Sequence, residues 1–371
     1  MFASKKMCGD SHEMREMAAR ICRDYLHGAW KSVTAQNVGF KHISGGLSNW
    51  LYHVWLPESL KDKMASSTGP SEVLIRVYGQ MHGERAIESL ITESVIFTLL
   101  SERGLGPRLH GVFPGGRIEE YIAARPLKTK ELADRDLSAQ IATKMAAIHR
   151  MEVPLNKEPR WLWDTMQRWQ ITSQAKLAED KVPQHAEFLK EFNFAKELSW
   201  LKKIIGLQPS PVVFCHNDFQ EGNILMEEEN NNQEQPKLVL IDFEYCSYNY
   251  RGFDIANHLL EWTYDYTTPE PPYYSEMTTN YPTEMQRLHF IQNYLSETGD
   301  SQSPQALLAE IRTYSLASHL FWGLWSIVNA GSSQITFGYW EYASSRLGAY
   351  RRLKEELLPN FAQKRKIEET L

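Results

Sequence analysis

The chain has only four cysteines among its 371 residues, and none of them forms a C-x-x-C pair. Their spacing excludes the common zinc-binding patterns and a disulfide framework. No apolar run approaches the roughly 18 residues that a membrane-spanning helix requires, so we expect no membrane span. Residues 1–10 contain two lysines but no apolar core, which is unlike a secretory signal. The expected compartment is therefore the cytosol.

An excess of positive charge is also missing, because the formal net charge is −6. This balance argues against nucleic acid as the main partner. The remaining composition, 42% hydrophobic and 23% charged residues, is that of an ordinary globular protein. A chain of 371 residues is long for one hydrophobic core, so we expect two lobes.

The secondary-structure pattern changes near residue 122. Before it, the sequence predicts strands at 39–43, 49–56 and 72–78, a helix at 84–103 and a hairpin around 112–122. After it, the sequence predicts mainly helices, at 136–150, 161–178, 183–205 and 303–330. We therefore predict an α+β fold with two lobes: residues 1–122 with an antiparallel sheet plus a helix, and residues 123–371, mostly helical.

Residues 215–223, which read CHNDFQEGN, form the most informative motif, together with Asp242 after the predicted strand 237–241. The H-x-D-x-x-x-x-N spacing and the later aspartate are typical of phosphoryl transfer. Asp218 is suited to accept the proton of an attacking hydroxyl. Asn223 and Asp242 offer the oxygen ligands that Mg²⁺ prefers. A surface turn rich in Asn, Asp and Gly would explain the loop, but not the whole pattern.

A second motif, SGGLS at residues 44–48, lies between two predicted strands, where a loop covering phosphates would belong. Arg76 on the third strand is the candidate cation for the α- and β-phosphates. Protein kinases usually have a lysine there, and an arginine would offer two hydrogen-bond donors in a fork instead of a point charge. We expect Glu93 to be its carboxylate partner, with Glu88 as the competitor. An ordinary Gly-Gly hairpin and a solvated surface ion pair are the alternatives.

Aromatic residues crowd two later parts of the chain, and the first of these also contains Asp254, Glu261 and Asp265. The two sets are Tyr245, Tyr248, Tyr250, Trp262, Tyr264 and Tyr266, and then Phe321, Trp322, Trp325, Phe337, Tyr339, Trp340 and Tyr342. Aromatic side chains at helical spacing are usually core. A quaternary ammonium, however, has no N–H to donate, so aromatic faces near negative charge are what it requires.

Taken together, these motifs resemble the choline/ethanolamine kinase family over about residues 20–351. The matching segments are GGLSN at 45–49, FCHND at 214–218, QEGN at 220–223, IDFEY at 241–245, NYRGFD at 249–254 and WGLWS at 322–326. The resemblance implies a eukaryotic-protein-kinase-like fold and ATP-dependent phosphorylation of choline to phosphocholine, the first step towards phosphatidylcholine. It also implies a cytosolic homodimer.

The same resemblance implies roles for individual residues. Asp218 would be the catalytic base, and Asn223 and Asp242 the Mg²⁺ ligands. The ATP site would comprise Ser44, Gly45, Gly46, Leu47, Ser48, Asn49, Trp50, Arg76, Glu93, Gln220 and Asp242, with Glu120, Tyr121 and Ile122 as the adenine hinge. The choline pocket would comprise Asp218, Tyr245, Glu261, Tyr266, Trp322, Trp325, Phe337 and Tyr342. In this family, arginine in place of lysine at position 76 is usual.

Three alternatives remain at this level. An ethanolamine kinase has the same motifs, and the sequence does not decide between the two alcohols. An aminoglycoside phosphotransferase shares the fold and the catalytic loop, but its polycationic substrates favour a less aromatic pocket, so Tyr266, Trp322 and Trp325 count against it. A kinase-like scaffold without activity would be expected to have lost Asp218, Asn223 or Asp242, and all three residues are present.

Overall fold

Short segments rich in β-branched and aromatic residues form a five-stranded antiparallel sheet in the computed structural model of the protein. The strands are β1 (Gly39–Ile43), β2 (Asn49–Trp55), β3 (Glu72–Tyr78), β4 (Leu109–Phe113) and β5 (Gly116–Glu120). Their order in the sheet is β1–β2–β3–β5–β4. In β3 the alternate residues Val73 and Ile75 are fully buried, so one face of the strand supplies the core.

Helices complete this part of the chain. They are α1 (His12–Tyr25), the short α2 (Glu58–Lys61) and α3 (Glu84–Glu102). Ser11 caps α1 by accepting a hydrogen bond from the Met14 N–H. The buried face of α1 packs into the same hydrophobic cluster as the sheet residues Tyr52 and Ile75. Gly104 follows α3 with a φ of +65°, a conformation that glycine adopts without strain.

The structure describes the backbone of residues 11–43, 49–61, 69–78, 84–179, 181–227, 236–333 and 335–368, and the side chains of these residues except 61, 84–90 and 360–368. The predicted phosphate-covering loop at 44–48 and the side chain of Glu88 therefore lie outside the described residues.

The later part of the chain is mainly helical. Its helices are α4 (Arg135–His149), α5 (Arg160–Leu177), α6 (Phe194–Gly206), α7 (Arg251–Glu261), α8 (Glu284–Thr298), α9 (Pro304–Asn329) and α10 (Tyr339–Glu368). The long helix α9 packs against α5, α6, α7, α8 and α10. Because so many helices surround it, α9 is buried along most of its length.

Short strands accompany these helices. An antiparallel pair joins β7 (Val212–Cys215) to β10 (Ser247–Tyr250), and a second pair joins β11 (Tyr264–Asp265) to β12 (Ser275–Glu276). The strands β6 (Ala124–Pro126), β8 (Ile224–Glu227) and β9 (Leu238–Leu240) stand at or beside the points where the chain passes from one structural unit to the other.

Two units can be distinguished. The first consists of Met1–Arg125 with Met226–Ile241, and the second of Pro126–Leu225 with Asp242–Leu371. Our sequence-based division cut the chain once, after residue 122, whereas the segment 226–241 folds with the first unit. The predicted α+β class is confirmed. Within the described residues, no helix combines the length and the apolar character needed to cross a membrane.

Candidate active site

The loop that carries the H-x-D motif follows β7, and Asp254 of α7 anchors it. The two oxygens of this buried carboxylate accept the backbone N–H groups of His216, at 2.9 Å, and Asn217, at 2.8 Å. Burial alone would raise the pKa of Asp254, but hydrogen bonds from His149 and the His216 backbone lower it below its usual value. A charged anchor therefore fixes the backbone immediately before Asp218.

Asn217 reinforces this anchor from within the loop. It adopts a φ of +67°, which a residue with a short polar side chain tolerates. Its Nδ2 donates to the Tyr245 carbonyl and the Ser247 hydroxyl, both at 2.8 Å, and its Oδ1 accepts from Asn249 Nδ2 at 2.7 Å. These bonds tie the loop to the segment that follows Asp242.

Asp218 and Asn223 are in direct contact. Asn223 Nδ2 donates to Asp218 Oδ2 at 2.8 Å and to the Asp218 carbonyl at 2.9 Å. Since the amide nitrogen faces Asp218, the amide oxygen of Asn223 is the atom presented to other groups. The structure therefore orients both the predicted base and a predicted oxygen ligand with one pair of hydrogen bonds.

Negative charge is concentrated around Asp218. Burial, followed by the carboxylates of Glu261, Asp242 and Glu244, raises the pKa of Asp218 well above its usual value. Asp242, which begins the second unit directly after Ile241, has a φ of +61°. The carboxylate of Asp242 and the amide oxygen of Asn223 are ligand types that suit a hard divalent cation such as Mg²⁺.

The predicted acceptor residues lie together in the second unit. Their rings form one connected aromatic cluster, with centroid distances of 5.7 Å for Tyr245–Trp322, 5.5 Å for Trp322–Trp325, 6.5 Å for Trp325–Tyr342, 6.1 Å for Tyr266–Tyr342 and 6.3 Å for Tyr266–Phe337. Glu261 contacts this cluster, since Tyr266 Oη donates to its Oε2 at 2.8 Å.

Two residues of this region were missed by the sequence reasoning. Arg346 of α10 is fully buried, and its guanidinium pairs with Glu261. Asn257 of α7 accepts the indole N–H of Trp322 at 2.7 Å, which fixes that ring. Helical spacing could have indicated both residues, because side chains four positions apart lie on the same face of a helix. Arg346 is four residues after Tyr342, and Asn257 is four residues before Glu261.

In the first unit, Arg76 lies on β3 and is nearly buried. Its Nε donates to Glu119 Oε1 at 2.7 Å, and the neighbouring Arg117 donates to the same oxygen, also at 2.7 Å. Burial alone would raise the pKa of Glu119, but the guanidinium groups of Arg76 and Arg117 lower it. Glu119 therefore holds Arg76 in one orientation.

The predicted pairing of Arg76 with Glu93 was wrong. Glu93 Oε1 instead accepts from Arg117 Nη1 at 2.6 Å. Arg117 is opposite Arg76 in the β3–β5 register, and its guanidinium carbon lies 4.2 Å from the ring centroid of Phe97 on α3. Glu93 is therefore linked to Arg76 through Arg117 and Glu119.

The other residues predicted to bind the nucleotide lie on β2, at the end of β5 and in the turn before Asn223. Asn49 and Trp50 begin β2, opposite Tyr78 and Val77 of β3. Glu120 ends β5, and its Oε2 accepts the Arg108 N–H at 3.0 Å. Tyr121 stacks on His53 at a centroid distance of 3.5 Å, and Ile122 follows it. Gln220, in the second unit, accepts the Gly222 N–H at 2.9 Å and caps the turn that carries Asn223.

Comparison with known proteins gives a consistent result. A sequence profile described as choline/ethanolamine kinase matches residues 40–351. A human choline/ethanolamine kinase is 48% identical over 356 residues, covering 94% of this chain and 88% of that protein. Mouse choline kinase alpha is 43% identical, covering 95% and 81%. The crystal structure of a choline kinase from Cryptosporidium parvum has a TM-score of 0.75 at 28% identity, covering 93% and 96%. The predicted protein-kinase-like fold is confirmed.

Proposed function

Because this chain belongs to the choline/ethanolamine kinase family, we propose that it transfers the γ-phosphoryl group of ATP to the hydroxyl of choline. Membership makes it a kinase of choline or ethanolamine; choline as the preferred acceptor, in the first step of the CDP-choline route to phosphatidylcholine, is our proposal. The products are phosphocholine and ADP. We further propose a cytosolic homodimer, as the family resemblance implies.

The observation that supports choline is the connected aromatic cluster beside Glu261. The faces of Tyr266, Trp322, Trp325 and Tyr342 suit a trimethylammonium group, whose charge is diffuse and whose surface is methyl. The carboxylates around Asp218 add negative potential for a cation. Ethanolamine is the second candidate, since the family profile covers both alcohols, and we propose it as a weaker substrate.

In the proposed reaction Asp218 accepts the proton of the choline hydroxyl as its oxygen bonds to the γ-phosphorus and the bond from that phosphorus to ADP breaks. Asn223 holds the Asp218 carboxylate in place. Asn223 and Asp242 would hold Mg²⁺, which supplies positive charge for the phosphate oxygens.

We propose that residues 44–50 and Arg76 contact the ATP phosphates and that Glu120, Tyr121 and Ile122 contact the adenine, as the family resemblance implies. Glu119 fixes Nε of Arg76, so the guanidinium is oriented before a ligand arrives. Preorganisation of this kind reduces the entropy that is lost when a phosphate binds.

Replacing Arg76 with alanine is expected to raise KM for ATP by at least tenfold and KM for choline by less than twofold, because a charge-assisted hydrogen bond to phosphate is worth about 1.5–3 kcal/mol. Arg76→Lys, which keeps the charge but loses the fork, should fall between the wild type and the alanine variant. Initial rates with each substrate varied in turn measure both constants. A change confined to choline would place Arg76 outside the nucleotide site.

Trp325→Ala is expected to weaken the binding of choline by about 1–2 kcal/mol, the scale of a desolvated cation–π contact. The binding of ethanolamine should be weakened by less. The choline-to-ethanolamine ratio of kcat/KM measures this difference. Trp163→Ala is the matched control, because Trp163 is also a half-buried tryptophan of the second unit and packs on Tyr250 instead of the cluster. If both variants lose stability and neither changes the ratio, Trp325 is only core.

A further inference from the structure

Arg346 is the least expected residue of the aromatic cluster, because a site for a cation gains nothing from a second positive charge. Its side chain has no exposed surface. A buried guanidinium is destabilising unless charges and hydrogen bonds compensate for its lost hydration. In this protein the compensation comes from the predicted acceptor residues themselves.

The guanidinium engages two of these side chains, Glu261 and Tyr342, and also contacts the ring of Tyr264. Nη2 donates to Glu261 Oε1, and both Nη2 and Nε donate to Tyr342 Oη, at 2.6 Å and 2.8 Å. The guanidinium carbon also lies 4.0 Å from the ring centroid of Tyr264. Burial alone would lower the pKa of Arg346, but Tyr342 and Glu261 raise it above its usual value, so the group stays charged.

The hydroxyl protons in this cluster can be oriented in only one way. Burial raises the pKa values of Tyr266 and Tyr342, so both hydroxyls keep their protons. Tyr266 donates its single proton to Glu261 Oε2 at 2.8 Å. The 2.8 Å bond between the two hydroxyls must then use the proton of Tyr342. Arg346, Tyr342, Tyr266 and Glu261 thus form a closed ring of hydrogen bonds.

This ring determines what Glu261 can offer to a substrate. Oε1 accepts from Arg346 and Oε2 accepts from Tyr266, so both carboxylate oxygens are already engaged within the ring. A primary ammonium has three N–H donors that need acceptors, whereas a quaternary ammonium has none. Each carboxylate oxygen has about two lone-pair sites, so an ethanolamine N–H could use only a remaining site on a Glu261 whose charge Arg346 already balances. Choline would only have to contact the aromatic faces.

We propose that Arg346 is a specificity-determining residue: by engaging Glu261 in the closed ring, it favours a quaternary over a primary ammonium as the acceptor. This inference rests on the proposed function and deepens it. It assigns the preference for choline to the sequestration of Glu261 as well as to the presence of aromatic rings.

The test is the ratio of kcat/KM for choline to kcat/KM for ethanolamine in Arg346→Met. Removing the guanidinium frees Glu261 Oε1 for an ammonium N–H, so the ratio is expected to fall by about tenfold, the scale of one hydrogen bond to a charged group. Arg346→Lys is the second variant, because it keeps the buried charge if the methionine variant fails to fold. A lysine cannot donate to Glu261 and Tyr342 as a fork, so the ratio should fall in the same direction by a smaller factor.

Lys354→Met is the matched control. Lys354 lies on the same helix, pairs with Glu197 at 2.5 Å and sits 4.2 Å from the ring centroid of Trp200, but has no contact with Glu261. Its removal should leave the ratio at the wild-type value. A folded Arg346 variant with the wild-type ratio would overturn the inference and leave the proposed function intact. A wild-type protein that phosphorylates neither alcohol would overturn both.

Discussion

Replacing Asp218 with asparagine is expected to lower kcat by about 10²- to 10⁴-fold, the range that a positioned general base contributes. The substitution preserves the shape of the side chain and an oxygen that can accept the hydrogen bond from Asn223. An amide, however, cannot accept the proton of the choline hydroxyl. The affinity for ATP should stay near the wild-type value, because the nucleotide residues are unchanged. Single-turnover rates and nucleotide binding, measured on the same preparation, separate the two effects.

Asp134→Asn is the control for this experiment. Asp134 caps α4 by accepting the N–H groups of Asp136 and Leu137, and asparagine is an equally good cap. This variant should therefore keep both stability and turnover. Full turnover in Asp218→Asn would show that Asp218 is not the base, and a parallel loss of nucleotide affinity would indicate that the loop itself had changed.

Replacing Asp242 with asparagine is expected to lower kcat by about 10³-fold, because a metal ion supplies several kcal/mol of charge stabilisation and each 1.36 kcal/mol is a factor of ten in rate. Asparagine is chosen because Asp242 has a φ of +61°, which asparagine tolerates better than alanine does. Activity measured as a function of Mg²⁺ concentration tests the role as ligand.

The outcome at high Mg²⁺ is decisive for Asp242. We expect added Mg²⁺ to restore little activity, since the lost carboxylate is a direct ligand in our proposal. Recovery of nearly wild-type turnover would make Asp242 a peripheral residue. Asp242→Ala, compared with the asparagine variant for thermal stability, separates loss of the metal from backbone strain: only strain should make alanine the less stable of the two.

Local patterns in the sequence predicted the parts of the fold that depend on neighbouring residues. The strands β1, β2 and β3 were predicted to within one residue, because β-branched runs and turns mark their ends. The helix α9 was predicted at 303–330 and runs from Pro304 to Asn329, with Ser303 as its cap.

Other elements depend on tertiary burial and were missed. Helix α7 was missed although its polar residues Arg251, Asp254 and Glu261 recur at helical spacing, because tertiary packing buries this polar side as well as the apolar one. The predicted helix at 183–205 is instead a 3₁₀ segment, Gln184–Glu191, followed by α6, because Asn193 caps a new helix by accepting the Lys196 N–H.

In the candidate site too, the sequence predicted what depends on spacing along the chain and not what depends on tertiary packing. Spacing in the sequence predicted Asp218, Asn223 and Asp242 as site residues, since a catalytic loop keeps its ligands at fixed separations, and the structure places Asn223 against Asp218. The ion-pair partners were not predictable, because they are set by strand register and by helix packing. Glu93 pairs with Arg117 since β3 and β5 place Arg76 opposite Arg117, and Glu261 meets Arg346 from a helix 85 residues away in sequence.

The central claim, phosphoryl transfer from ATP to choline, is tested most directly by one assay. Purified protein with Mg-ATP is offered choline, ethanolamine or kanamycin, and ADP release and the phosphorylated product are both measured. We predict one phosphocholine for each ADP, the highest kcat/KM for choline, a lower value for ethanolamine and no transfer to kanamycin. Preferred transfer to kanamycin, or nucleotide binding without transfer to either small alcohol, would contradict the account.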